Sequence, residues 1–202
     1  MRLFLLPLPL LATLLGCGPD PGLASTNEFK GTIHQNGGSY SLQVTDAFFV
    51  RIQPPSGPGG IAIFLSDRPG ACAALQANPL ADLRSSSSLL LSLANLVNDS
   101  TSRPIVTGDY PVSTSSGRTG TVSSGVFRSK DASCATRARA DARSGSVTLT
   151  TAPAGSSGGR AIGTFDLGMV GLPGAPADAI TGRFDVGECP FDPWAGGSVA
   201  CD

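Results

Sequence analysis

Alternation of apolar and polar positions is the dominant pattern in this chain. From Ser39 to Thr45 it is strict: Tyr40, Leu42 and Val44 share one face and polar residues the other, as in a half-buried strand. Phe29 to Gln35 reads as a preceding strand closed by the turn signal Asn36-Gly37-Gly38. Ala47 to Gln53 places Phe48, Val50 and Ile52 on one parity and stops at the Pro/Gly-rich run Pro54 to Gly60. Ile61 to Leu65 is apolar on both parities, which predicts a strand covered on both faces.

Periodicity is less decisive in the middle of the chain. Cys72 to Ala77 predicts a brief helix ahead of Pro79. Leu89, Leu93, Leu96 and Val97 sit at helical spacing while Leu89, Leu91 and Leu93 alternate, and the flanking serines and Asn98-Asp99-Ser100 favour a strand. Ile105 to Val112 and Gly120 to Arg128 read as extended, with Pro111 at an edge or bulge. Cys134 to Arg143 sets Arg137, Arg139, Asp141 and Arg143 on one parity and mostly alanine on the other; as a strand it has a charged and a small-residue face, while its alanines keep a helix open. Ser146 to Thr150 is followed by Gly163-Thr164-Phe165-Asp166-Leu167 and Gly182-Arg183-Phe184-Asp185-Val186, two copies of one pattern that turn their phenylalanines to the core in an antiparallel meander. The pattern as a whole predicts an all-β domain, an antiparallel sandwich or barrel of roughly nine or ten short strands with one short helix near 72–77.

The first residues follow another rule. Arg2 precedes an apolar run from Leu3 to Leu15, which is the layout of a secretory signal. As a helix it would reach only about 20 Å against a hydrocarbon core of about 30 Å, and Pro7 and Pro9 interrupt it. Leu14-Leu15-Gly16-Cys17 resembles the lipobox of bacterial lipoproteins. That resemblance implies a diacylglyceryl group on the Cys17 thiol, cleavage before Cys17 and acylation of the new amino terminus. Residues 1–16 are then a signal peptide, residues 17–27 a Gly/Pro-rich tether, and residues 28–202 a single β-domain. Several acyl chains at about 0.8 kcal/mol per buried methylene hold a protein to a bilayer without spanning it. In the sorting rule of such lipoproteins an aspartate after the cysteine means inner-membrane retention. Gly18 in that place implies the outer membrane. The mature domain also loosely resembles uncharacterised β-rich bacterial lipoproteins, a likeness that implies no activity.

Composition narrows the partners. The 202 residues less the leader suit one domain of ordinary size. The formal net charge of −1 gives no sign of a nucleic-acid partner, and 26 glycines and 16 prolines favour short strands joined by turns. With Cys17 assigned to lipid, Cys72, Cys134, Cys189 and Cys201 form an even set for two disulfides in an exported protein. The turn-rich segment after Cys189 favours Cys189–Cys201, which leaves Cys72–Cys134, although three pairings are open. The spacings hold no Cys-x-x-Cys pair for zinc, and no metal or other cofactor is expected.

No catalytic signature stands out. His34 is the sole histidine, without a Gly-x-Ser-x-Gly elbow to serve. Asp166 and Asp185 have the residue type for a glycosidase pair, yet their parity places them on a solvent face, with Arg183 as a cross-strand partner. Arg137, Arg139 and Arg143 point one way from a strand and form a candidate anion-binding row, for which a solvated face is the competing account. Tyr40, Tyr110 and Trp194 are candidates for stacking on sugar, with only Trp194 placed for exposure. The expectation is a non-enzymatic, membrane-anchored envelope protein whose β-domain is structural or binds an envelope protein or glycan. The alternatives are a barrel holding a small apolar molecule or glycan, and an envelope hydrolase.

Overall fold

The computed structural model describes residues 26–53, 59–79, 81–114, 118–155, 157–171, 177–191 and 200–201. The lipobox, the tether up to Ser25, Pro54 to Pro58 and Trp194 lie outside them. The chain forms strands β1 (Glu28–Gly31), β2 (Ile33–Gln35), β3 (Gly38–Tyr40), β4 (Asp46–Ile52) and β5 (Gly60–Ser66), then the helix α1 (Ala71–Ala77). There follow β6 (Ala81–Asp82), β7 (Ser87–Asn98), β8 (Thr101–Arg103), β9 (Gly108–Pro111), β10 (Gly120–Lys130), β11 (Thr136–Thr151), β12 (Arg160–Val170), β13 (Ala177–Gly187) and β14 (Ala200–Cys201). The all-β expectation with one short helix holds. Strands β7 and β10 to β13 are longer than expected, because alternation in each runs on through serine, threonine and glycine as well as through apolar residues.

Ten strands form one antiparallel sheet in the order β1-β13-β12-β11-β10-β7-β5-β4, with β8 beside β7 and β9 beside β11. The sheet curls until its ends meet: Phe49 on β4 bridges Glu188 just past β13, and the Cys189 amide donates to the Phe49 carbonyl at 2.8 Å. Inside lies one continuous core that includes Phe49, Leu91, Phe127, Phe165, Met169 and Phe184, each no more than 3% exposed. Ala138, Ala140 and Ala142 supply the small inward face of β11, as its alternation predicts. The β2–β3 hairpin turns at Asn36 and Gly37, both with positive φ. Leu42 is buried and Tyr40 and Val44 pack on the core as their parity predicts, but the predicted strand makes ladder bonds only up to Tyr40. The strand expected from Phe29 to Gln35 is broken at Gly31, whose φ is 126°.

A second, smaller core lies on the outer face of β4 and β5. Phe48, Val50 and Ala62 meet Ala71, Leu83 and Cys189 there, with the Phe48 and Phe64 rings stacked at 5.2 Å. The parity read for β4 is therefore incomplete: Phe48, Val50 and Ile52 face this outer cluster, and Phe49 points into the barrel. Both faces of β5 are covered, as its apolar run predicts.

The expected disulfides, Cys72–Cys134 and Cys189–Cys201, are not the ones formed. Cys72 is bonded to Cys189 and Cys134 to Cys201. Continuing from β13, the chain runs parallel to β4, which sets Cys189 beneath α1 and beside Cys72. The parallel pairing of β14 with β6 sets Cys201 against the β10–β11 connection that holds Cys134. Cys189 and Cys201 are thus each bonded to another cysteine and not to one another.

Candidate functional site

Strands β10 and β11 run beside each other from Val126/Asp141 to Lys130/Thr136. Because side chains alternate, inward alanines on β11 force Arg137, Arg139, Asp141 and Arg143 outward, where all three arginines are exposed. Burial of Phe127 and Ser129 likewise turns Arg128 and Lys130 out from β10. Arg128 is the direct cross-strand partner of Arg139. Like charges in that relation repel and destabilise the sheet by up to about 1 kcal/mol. Partial neutralisation comes from Asp141, whose Oδ1 accepts from Arg139 Nε and Nη2 at 3.4 Å, and from Asp131, 4.0 Å from Arg137. Among the described residues, the side chains of Arg128 and Arg143 make no hydrogen bond or ion pair. The sequence discloses the β11 half of this strip; Arg128 and Lys130 join it only through the strand register.

At the foot of the strip is a cavity of about 330 Å³ lined by Ser85, Ser86, Ser87, Ser129, Lys130 and Arg137 together with Asp67 and Asp131. The Ser87 hydroxyl and the Ser129 hydroxyl lie 3.2 Å apart, and the Ser87 amide donates to Asp67 Oδ1 at 2.7 Å. Burial pushes the Asp67 carboxyl above the usual range, against the lowering effect of its bonds to Ser87. Asp131 is held below it, because Oδ1 accepts from the Ser133 hydroxyl, the Ser133 amide and the Ala135 amide. Ser85 has a φ of 48°, a left-handed conformation uncommon outside glycine.

A larger cavity of about 460 Å³ opens where β4 ends and β5 begins, with Arg51, Gln53, Ser102 and Arg103 in its lining. Arg51 is committed to the barrel seam. Its Nε lies 3.2 Å from Glu188 Oε1, its Nη2 donates to Gly158 O at 3.0 Å, and its guanidinium carbon lies 5.7 Å from the Phe49 ring centre. The ion pair is not aligned as a hydrogen bond, so Arg51 Nε and Glu188 Oε2 are buried without hydrogen-bond partners.

The other candidates fall to structural roles. His34 Nδ1 lies 2.8 Å from Asp178 Oδ1, while Asp178 Oδ2 accepts the His34 amide; no serine hydroxyl bonds this histidine among the described residues. Asp166 and Asp185 both sit on the outward parity of their strands, and Asp185 accepts from Arg160 at 2.6 Å, not from Arg183, which pairs with Glu28. Tyr110 is fully buried with its hydroxyl bonded to Val106, and burial raises its pKa, so it is no sugar platform. Among the described residues no cluster of His, Cys, Asp and Glu has the arrangement to hold a metal ion, and no helix is long and apolar enough to cross a membrane. No family model matches the chain, and neither a curated protein nor a solved structure resembles it significantly.

Proposed function

We propose that this chain is an exported lipoprotein, held in a bacterial envelope by acyl chains on Cys17, and that its β-domain is a non-enzymatic module that binds or supports an envelope component. The address rests on Leu14-Leu15-Gly16-Cys17. The observation that carries the binding role is the contrast between a continuous apolar core inside and an outer face on which Arg128, without an ion pair among the described residues, opposes Arg139 across the ladder. Among the described residues the inward side chains, Phe49, Phe127, Phe165 and Phe184 included, form one continuous apolar cluster, and the two cavities described above have charged and polar residues in their linings, so an apolar-ligand barrel is the less favoured alternative. A polar ligand in the cavity beside Arg51 and Arg103 is the second reading. The hydrolase reading needs two carboxyls facing across a cleft, whereas Asp166 and Asp185 decorate an open face.

Expression in a bacterial host with an alkyne-tagged fatty acid tests the anchor. The label is expected on the processed chain in the outer-membrane fraction and absent from Cys17→Ser. Equal labelling of Cys17→Ser, or an unlabelled chain released as a soluble protein, overturns the proposal.

A further inference from the structure

We infer that the outer face of β10–β11, with the serine-lined cavity at its foot, is a docking site for a phosphate-bearing glycan. The inference deepens the envelope-binding reading and takes its setting from it. Arg128 and Arg139 are direct partners across the ladder, which places their side chains about 5 Å apart at Cβ. A phosphate group has enough oxygens to accept from two guanidinium forks at once, and by binding it turns a repulsive pair into a bridged one. Arg137 and Arg139 follow at the two-residue strand repeat, about 7 Å, so the strip suits anionic groups repeated along a chain.

The cavity says what carries the phosphate. Lys130 lines it and also lines the neighbouring hollow that Arg128 lines, so the cations and the serine hydroxyls adjoin. The Ser86 hydroxyl donates to the Leu83 carbonyl and the Ser87 hydroxyl to that of Ser129, both within the wall, which leaves the exposed Ser85 hydroxyl to donate and accept as the hydroxyls of a sugar ring do, and the Asp67 carboxyl adds an acceptor. A bare polyanion would have no use for this lining. An anionic bilayer is the weaker occupant on topology. The chain enters beside β13, where Asn27 accepts the Asp185 amide, and β11 and β10 are two and three strands further round the barrel.

The full chain, extracted from membranes in a non-ionic detergent, is passed over phosphorylated dextran, carboxymethyl dextran and plain dextran. Retention is expected on the phosphorylated matrix above the carboxymethyl one, and none on plain dextran. Arg128→Gln with Arg139→Gln is expected to weaken retention roughly ten- to hundredfold, the loss of one or two charge-assisted hydrogen bonds. Lys30→Gln, a control cation on β1 whose ammonium lies 3.0 Å from Glu28, leaves it unchanged. Glucose 6-phosphate is expected to compete better than inorganic phosphate, and Ser85→Ala to remove that advantage while phosphate still competes. Equal retention on both charged matrices, or retention insensitive to Arg128 and Arg139, overturns the phosphate site. Flotation with anionic above neutral vesicles that Arg128→Gln with Arg139→Gln abolishes, in place of dextran binding, assigns the face to a membrane and overturns the inference. No preference for glucose 6-phosphate overturns the sugar half. Fatty-acid labelling of Cys17 is read separately on the same protein, so failure of the anchor and failure of this site are distinguishable.

Discussion

Phe184 on β13 lies directly across the ladder from Gly163 on β12, and its ring occupies the space a side chain at that glycine would need. The relation is reciprocal, since Phe165 on β12 faces Gly182 on β13 and covers it in the same way. The repeated Gly-x-Phe-Asp pattern is thus two strands each supplying the ring that fills the other's gap. A methyl group at Gly163 would meet both the Phe184 ring and the Thr148 carbonyl, and one at Gly182 both the Phe165 ring and the Glu28 carbonyl. Gly163→Ala and Gly182→Ala are therefore expected to lose about 1–3 kcal/mol by overpacking. Phe184→Ala is expected to lose about 3–5 kcal/mol by cavity formation. Urea unfolding checks this, and a neutral Gly182→Ala would mean that the close contact with β1 is not maintained.

The seam between β4 and β13 depends on Arg51. Its side chain is 19% exposed and that of Glu188 12%, so replacing the arginine by methionine strands a carboxylate with little water to solvate it. The expected cost is about 2–4 kcal/mol, somewhat below that for a fully buried pair. Arg51→Met with Glu188→Gln is expected to be less destabilised than Arg51→Met alone, because no buried charge is left unpaired. A double-variant loss equal to the sum of the singles in urea titration would show that the two side chains are not coupled.

Much of this fold is legible in sequence because alternation reports burial. The alanines of β11, the apolar run of β5 and the two phenylalanine repeats each declare which face is covered. Alternation does not report which strand lies beside which. The closure of β4 on the end of β13, the wedging of β9 against β11, and hence the disulfide partners, follow from contacts between residues far apart in the chain. The candidate site shows the same division. Arg137, Arg139 and Arg143 can be read from one strand's parity, whereas Arg128 and the serine cavity require the register of β10 with its neighbours.

The crossed disulfides tie chain segments 117 and 67 residues apart. On the chain-entropy model, closures of that size stabilise by about 4–5 kcal/mol each, more than the short Cys189–Cys201 loop expected from sequence would give. Non-reducing peptide mapping is expected to find Cys72 with Cys189 and Cys134 with Cys201. Cys72→Ala with Cys189→Ala should also loosen α1 from the sheet, seen as faster amide exchange in 71–77 than in the core strands. A recovered Cys189–Cys201 peptide would contradict this connectivity.

The acid limb of stability is expected to reflect two aspartates of opposite sign at the serine cavity. Asp131 is held low by the Ser133 and Ala135 donors, so its contribution is complete above the ordinary carboxylate value of about 3.9 and is lost as pH falls through its lower folded value. Asp67 is raised by burial, so its folded state favours the proton, and stability declines as pH rises from the ordinary value through the folded one. Asp131→Asn is accordingly expected to be less stable than the parent at pH 7 and to converge with it towards pH 2. Asp67→Asn keeps an oxygen for the Ser87 amide without the buried charge. It is expected to match or exceed the parent at pH 7 and to lose that advantage in acid. Urea midpoints at pH 7, 5, 3 and 2 decide the matter: a gap between Asp131→Asn and the parent that stays constant down to pH 2 would show that the loop around Asp131 is held by something other than its charge.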